Sequence, residues 1–261
     1  LDNIALSVSG DDQSSFSLGG LSASSLVMGE SMTFTVTYTA NSADEATAML
    51  HVTSNAVNAP DFEIHLLGEI RVFIYEESFE SGFGIWQNTN AQLTWTSQQG
   101  STPSTSTGPA SAQDGSNYLY TEASGGNSGK TADLEATFDF TEHTNVTLEF
   151  SYHMYGSGMG DLSVDIFDGD WNLDVFKLSG QQQTGETDPW KTAVVDLSSF
   201  AHSSGVIIRL RGLVGSNFRS DISIDNIIIY ATLPSYMLSY SAGNGGSVSG
   251  TSNQEVLEGA D

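Results

Sequence analysis

The chain is written in short alternations of hydrophobic and polar residues. They run through SMTFTVTYTA (31–40), ATAMLHVTS (46–54), DFEIHLLGEI (61–70), NVTLEFSYHM (145–154), DLSVDIF (161–167), KTAVVDL (191–197), GVIIRLRGL (205–213) and SDISIDNIIIY (220–230). A period of two over five to nine residues, rich in Val, Ile, Thr, Phe and Tyr, turns one apolar row of each strand toward a core. Helical periodicity is nearly absent, and Gly, Asn, Ser and Asp clusters separate the strands with turns. Many short strands without intervening helices predict an all-β fold, an antiparallel sandwich rather than a βαβ arrangement.

One stretch, EFSYHMYGSGMGDLSVDI (149–166), has the look of chemistry. Alternation resolves it: Phe150, Tyr152 and Met154 take one face of a strand, and Ser151, His153 and Tyr155 take the other. Gly156, Gly158 and Gly160 turn the chain, and Leu162, Val164 and Ile166 form the returning core row. His153 is thereby a strand residue and not a member of a catalytic cluster.

Composition narrows the partners. Seven Lys and Arg stand against 32 Asp and Glu, a formal net charge of −25. A surface of that sign repels nucleic-acid phosphates and anionic lipid. Cysteine is absent, which removes disulfides and thiolate metal sites. No apolar run approaches the roughly 20 residues of a membrane helix. High acidity, few lysines and abundant Ser, Thr, Gly and Asn suggest an exported protein, and the start at Leu1 suggests a piece of a longer chain. Composition shifts near EESFES (76–81) and after Pro234 divide the chain into 1–73, 74–232 and 233–261.

The middle segment carries ESFESGFGIW (77–86), LTWT (93–96), DGSNYLYTEAS (114–124), LEFSYHMYG (148–156), LSG (178–180), Trp190 and RGLVG…DISIDNI (211–227) in that order. This series resembles the MAM domain family across essentially all of 76–230. The resemblance implies a two-sheet jelly roll and a role in adhesion or recognition without catalysis. Animal members usually carry paired cysteines, and this chain has none. The preceding LVMGESMTFTVTYTA (26–40), AMLHVTSNA (48–56) and PDFEIHLLGE (60–69) resemble a choice-of-anchor or HYDIN-type immunoglobulin-like domain of bacterial surface proteins, without its earliest strands. The closing YMLSYSAGNGGSVSGTSNQEVLEGAD is similar to the opening of an internalin-type B repeat. The expectation is a jelly-roll sandwich preceded by an immunoglobulin-like β-sandwich segment and followed by the start of a stalk module.

The resemblance also implies a metal site. Some MAM domains and similar jelly-roll modules hold a structural calcium ion with acidic residues of the first and last strands. Here Glu80, Asp114 and Asp225 match those positions, with backbone carbonyls around Ser78 and Gly115 completing the oxygens that Ca2+ requires. The plainer alternative is that Glu80 and Asp114 cap turns while Asp225 faces solvent. DGDWNLD (168–174) has calcium-loop spacing but lacks the required Gly and final Glu, and reads better as an Asp-Gly hairpin. Trp171 is the tryptophan expected to be exposed at that hairpin's tip, where it could stack on a sugar or anchor a protein. Trp86, Trp95 and Trp190 are expected in or beside the core. Arg209 and Arg211 fall on one strand face, with ion pairing as the default role.

No HExxH, G-x-S-x-G or phosphate-loop pattern appears. The sequence therefore reads as a non-catalytic extracellular recognition or adhesion module of a larger bacterial secreted or surface protein. Its partner would be an extracellular protein or polysaccharide, with no nucleic acid and no membrane insertion. The alternative is a polysaccharide-binding module appended to a secreted hydrolase.

Overall fold

The computed structural model of the chain describes residues 1–39, 46–58 and 60–232, and the backbone of 235–239 and 253–257. The chain divides into two compact units: Val72–Ala231, and Leu1–Arg71 with Thr232–Asp261.

The first unit contains β1 (Ala5–Ser9), β2 (Phe16–Leu18), β3 (Val36–Tyr38), β4 (Ala46–Thr53) and β5 (Asp61–Gly68). They form an antiparallel sheet β1-β4-β5 and a small ladder β2-β3. Phe16, Ala46 and Ala48 are buried between them, with Val8, Val36, Tyr38 and Leu66 packed alongside. The long strand expected over 31–40 shortens to Val36–Tyr38, the part that finds a partner in Phe16–Leu18. The expected stalk module falls mostly outside the described residues. Its described backbone is a ladder of Ser235–Ser239 with Asn253–Leu257.

The second unit holds β6 (Arg71–Glu77), β7 (Gln87–Asn88), β8 (Trp95–Gln99), β9 (Asn117–Thr121), β10 (Thr131–Phe138), β11 (Val146–His153), β12 (Asp161–Asp168), β13 (Asp170–Ser179), β14 (Lys191–Asp196), β15 (Val206–Leu213) and β16 (Ser223–Thr232). Among the described residues one sheet runs β13-β12-β15-β10-β7 and the other β14-β11-β16-β9-β8, with β6 also on β16. First and last strands are thus neighbours, as a jelly roll requires. Alternate residues of β10, β11, β12, β15 and β16 face inward: Leu134, Leu148, Phe150, Leu162, Val164, Ile166, Ile208, Leu210 and Ile229 are fully buried in one core. Trp86 and Trp95 join that core, and the Trp95 indole N–H donates to the Ala132 carbonyl at 3.2 Å.

The glycine turn after β11 is a packing device. Gly158 N–H donates to Arg219 O (3.1 Å) and Ser216 N–H donates to Gly158 O (3.0 Å), drawing two loops backbone to backbone. A Cβ at Gly160 would overlap the Leu213 carbonyl, and one at Gly215 would overlap that of Gly158. His153 is fully buried against Trp190, ring centroids 5.7 Å apart. Its nitrogens face the backbone around Gly185 and Asp188 without closing a well-formed hydrogen bond, and burial pushes its pKa down to about 4. A neutral, structural histidine results.

Candidate functional site

Two regions of the second unit gather polar chemistry. The first lies on the outer face of the β13-β12-β15-β10-β7 sheet. The β12 alternation that sends Leu162, Val164 and Ile166 inward sends Ser163, Asp165 and Phe167 outward. Asp165 is nevertheless completely buried, because the strand beside it brings two arginines over it. Asp165 pairs with Arg209 in the β12–β15 register. Arg209 Nε donates at 2.9 Å; Arg211 donates through Nε at 2.7 Å and Nη2 at 3.0 Å. The register slips opposite Asp165, so that β13 bulges there. The bulge sets Asp174 at φ 54° and drops its N–H onto Asp165 at 2.8 Å. Arg211 also reaches Asp174 at 2.7 Å. Burial works to raise the Asp165 pKa, but the donors from Arg211, Asp174 and Arg209 outweigh it and hold the carboxyl below the usual carboxylate range.

This ionic cluster holds up an aromatic. The Arg209 guanidinium lies 3.8 Å from the centroid of Trp171, and Phe167 sits 5.5 Å from the same ring. Trp171 follows the Asp-Gly turn at Gly169 (φ 84°) and remains 38 % exposed. Leu173 and Val175 are exposed beside it on β13, which forms the edge of the sheet.

The second region is the loop 113–117. The fully buried Asp225, on β16, accepts from the N–H groups of Gln113 (2.9 Å) and Asp114 (3.1 Å) through Oδ2, and from Asn226 (2.8 Å) through Oδ1. Glu80 Oε1 accepts from Ser116 (2.7 Å) and Asn117 (2.5 Å) of the same loop. Those Asn117 and Ser116 donors lower the Glu80 pKa. Burial raises that of Asp225 to about 6 against its backbone donors. Among the described residues no lysine or arginine comes within 4 Å of Asp225. Gly115 (φ 61°) lies so close to the Glu80 carboxyl that a side chain there would collide with it.

Residues 78–233, more than half of the chain, match the MAM domain (meprin/A5/mu). This chain belongs to the MAM domain family. Neuropilin-1 of Xenopus laevis is 32 % identical over 127 residues, 47 % of this chain and 13 % of that protein. Thyroid hormone-induced protein B of Xenopus laevis is 31 % identical over 148 residues, 56 % of this chain and 21 % of that protein. The chain therefore spans about a fifth or less of these relatives. Among solved structures, the K3 adhesin domain of Lys-gingipain from Porphyromonas gingivalis shares 16 % identity at a TM-score of 0.44, covering 62 % of this chain and 99 % of that one. The family 22 carbohydrate binding module of Clostridium thermocellum Xyn10B shares 10 % at 0.41, covering 61 % and 94 %. An adhesion or binding module fits the family.

Within the MAM unit, the expected metal positions converge only in part. Glu80 and Asp225 hold the same loop, but Asp114 enters through its N–H. The one trio of His, Asp and Glu ligand atoms lying within 4.8 Å of one another among the described residues is elsewhere, so these three carboxylates form no closed shell. Of the plainer alternative, Glu80 does cap the turn, but Asp225 is buried and does not face solvent. Residues 168–174 form the expected hairpin.

Other features escaped sequence reading. Asp221 is fully buried with a pKa of about 6, raised chiefly by burial. Its Oδ1 accepts from Ala123 N–H at 2.9 Å, while Oδ2 lacks a well-formed bond because the Thr102 hydroxyl donates to Thr107 O instead. A polar pocket of about 470 Å³ is lined by Ser106, Tyr155, Ser157, Gln181, Thr184 and Arg219. Among the described residues no carboxylate lies within 4 Å of the Arg219 guanidinium, which sits 5.0 Å from the Phe218 ring. Among the described residues no helix is long and apolar enough to cross a membrane.

Proposed function

We propose that the MAM unit is a non-catalytic recognition module of a larger extracellular protein, secreted or displayed on a bacterial surface, and that Trp171 anchors its protein ligand. The observation that carries this reading is the exposed Trp171 ring, braced by Arg209 beside exposed Leu173 and Val175. A rigid aromatic held by a buried ionic cluster loses little entropy on binding, which is the property of an interface hot spot. Trp171→Ala is expected to weaken binding by about 2 kcal/mol, roughly 30-fold, while the melting midpoint moves by less than about 2 °C. Binding to a panel of cell surfaces and immobilised extracellular proteins provides the readout. Undiminished binding by this variant refutes the reading.

The Arg219 pocket favours a second reading, a polysaccharide ligand for a module attached to a secreted hydrolase. Hydroxyls and an arginine with no carboxylate within 4 Å among the described residues suit a hydroxyl-rich or anionic sugar. Retention of the MAM unit by polysaccharides, lost in Arg219→Ala and kept in Trp171→Ala, would select it over the protein ligand.

We also propose a structural calcium ion at the 113–117 loop. Its support is a buried Asp225 carboxylate that, among the described residues, has no lysine or arginine within 4 Å, and the convergence of Glu80 on the same five residues. Glu80 and Asp225 would hold the ion with backbone carbonyls of the loop, and Asp114 would add charge from its edge. Every tryptophan of the chain lies in the MAM unit, so tryptophan fluorescence follows its melting alone. Calcium at a hundred times its Kd stabilises by about 2.7 kcal/mol. Chelation is therefore expected to lower the midpoint by about 5–10 °C for a unit of this size. An unchanged midpoint removes the ion.

A further inference from the structure

The first unit carries a second arrangement of ligating atoms. In its sheet, Ser7 pairs with His51, Ser9 with Met49, His51 with Glu63, and Thr53 with Asp61. Alternation puts Ser9, His51, Asp61 and Glu63 on the face opposite the buried Ala48 and Leu50. His51 Nδ1 lies 3.0 Å from Asp61 Oδ2 and 3.8 Å from Glu63 Oε1, and the three ligand atoms are all within 4.8 Å of one another. The other ring nitrogen, Nε2, lies 2.8 Å from Ser9 Oγ.

We propose that His51, Asp61 and Glu63 form a site for a borderline divalent transition metal, of which Zn2+ is the type, bound through His51 Nδ1 and one oxygen from each carboxylate. Bonds of about 2.0–2.2 Å at tetrahedral angles place neighbouring ligand atoms roughly 3.3–3.6 Å apart. The observed 3.0 and 3.8 Å straddle that spacing, so small side-chain adjustments close the shell. Imidazole with two carboxylates suits zinc, whereas Ca2+ takes six to eight oxygens. Ser9 supplies the outer partner that fixes the ring. With metal on Nδ1, the single imidazole proton resides on Nε2 and is donated to Ser9 Oγ. A net charge of −25 draws cations toward the whole surface. Side-chain exposures of 20 % for His51, 43 % for Asp61 and 57 % for Glu63 leave room for water at the fourth position.

Ser9, His51 and Asp61 also stand in the order of a hydrolase relay. A relay relies on a buried carboxylate that confines the imidazole to one tautomer. Here Asp61 is open to water and Glu63 approaches the same nitrogen, which is the layout of a ligand set.

The test is calorimetric titration of the full chain, first freed of metal with chelator, using Zn2+ alone. One site is expected that disappears in His51→Ala, weakens about tenfold or more in Ser9→Ala, and persists in His143→Ala and in excess Ca2+. Glu63→Gln, which keeps the shape of the side chain, should weaken it at least as much as Ser9→Ala. Far-UV circular dichroism confirms that each variant is folded. Absence of Zn2+ binding at millimolar concentration, equal binding by wild type and His51→Ala, or displacement by Ca2+ would overturn the proposal. Because Glu80, Asp114 and Asp225 play no part in it, failure here leaves the MAM unit's proposed calcium ion untouched.

Discussion

Asp165→Ala is expected to lower the melting midpoint of the MAM unit by about 10 °C at neutral pH. The carboxylate is fully buried and holds both Arg209 and Arg211. Deleting it removes the shared carboxylate between two adjacent guanidinium groups and leaves only the more exposed Asp174 beside Arg211 and Glu135, at 3.7 Å, beside Arg209. Removing one partner of a buried ion pair costs about 3–5 kcal/mol, and a unit of this size loses roughly 2–4 °C per kcal/mol. The bulge at Asp174 loses its acceptor as well. Asp165 also gives the wild type an acid dependence. Its folded pKa lies below the ordinary value of 3.8, so its contribution is complete above that value and is lost as the pH falls through the lower folded pKa. Asp165→Ala should therefore show a shallower fall of midpoint with acid below about pH 4. A midpoint within 2 °C of wild type at neutral pH would show that the cluster does not brace the sheet.

The second large effect is expected at the glycine turn. Gly160→Ala should destabilise the MAM unit by about 3 kcal/mol, a midpoint loss of roughly 6–12 °C. The added methyl meets the Leu213 carbonyl and the Gly215 N–H, which are backbone atoms and cannot rotate away. Separating the loops strains the bonds that join Gly158 to Arg219 and Ser216, and Ser220 Oγ to Gly160 and Gly215. Gly185→Ala is the control, since its Cβ would make only ordinary contact with Asp188. Equal melting of the two variants would mean that the loops tolerate separation.

Much of this unit was legible from residue order. The alternations at 145–154, 161–167, 191–197, 205–213 and 220–230 became β11, β12, β14, β15 and β16. The spaced Trp, Gly and acidic motifs announced the MAM fold. The pairing of Arg209 and Arg211 on one face was visible from their spacing. Their partner was not, because Asp165 lies 44 residues earlier and reaches them only through the β12–β15 register. Asp225 was placed correctly on the last strand and wrongly toward solvent in the plainer alternative, since its burial depends on a loop more than 100 residues away. The strand at 31–40 kept only three residues because strand length is decided by the partner that pairs with it. The trio of His51, Asp61 and Glu63 has no recognisable motif spacing, because two neighbouring strands bring it together.

The sequence by itself determined which face the side chains of the regular strands take, because alternation is a property of the extended backbone, and it left the bulge at Asp174 to the tertiary structure. It determined where the chain turns, because Asp-Gly and the glycines of 156–160 accept conformations and approaches that other residues resist. Only the tertiary structure decided which outward faces are open and which are covered. Trp171 stays exposed on an edge strand while Asp165, six residues before it, is sealed beneath two arginines. That difference arises from long-range register and loop placement, which set the desolvation and the charge partners of each group and therefore its chemistry.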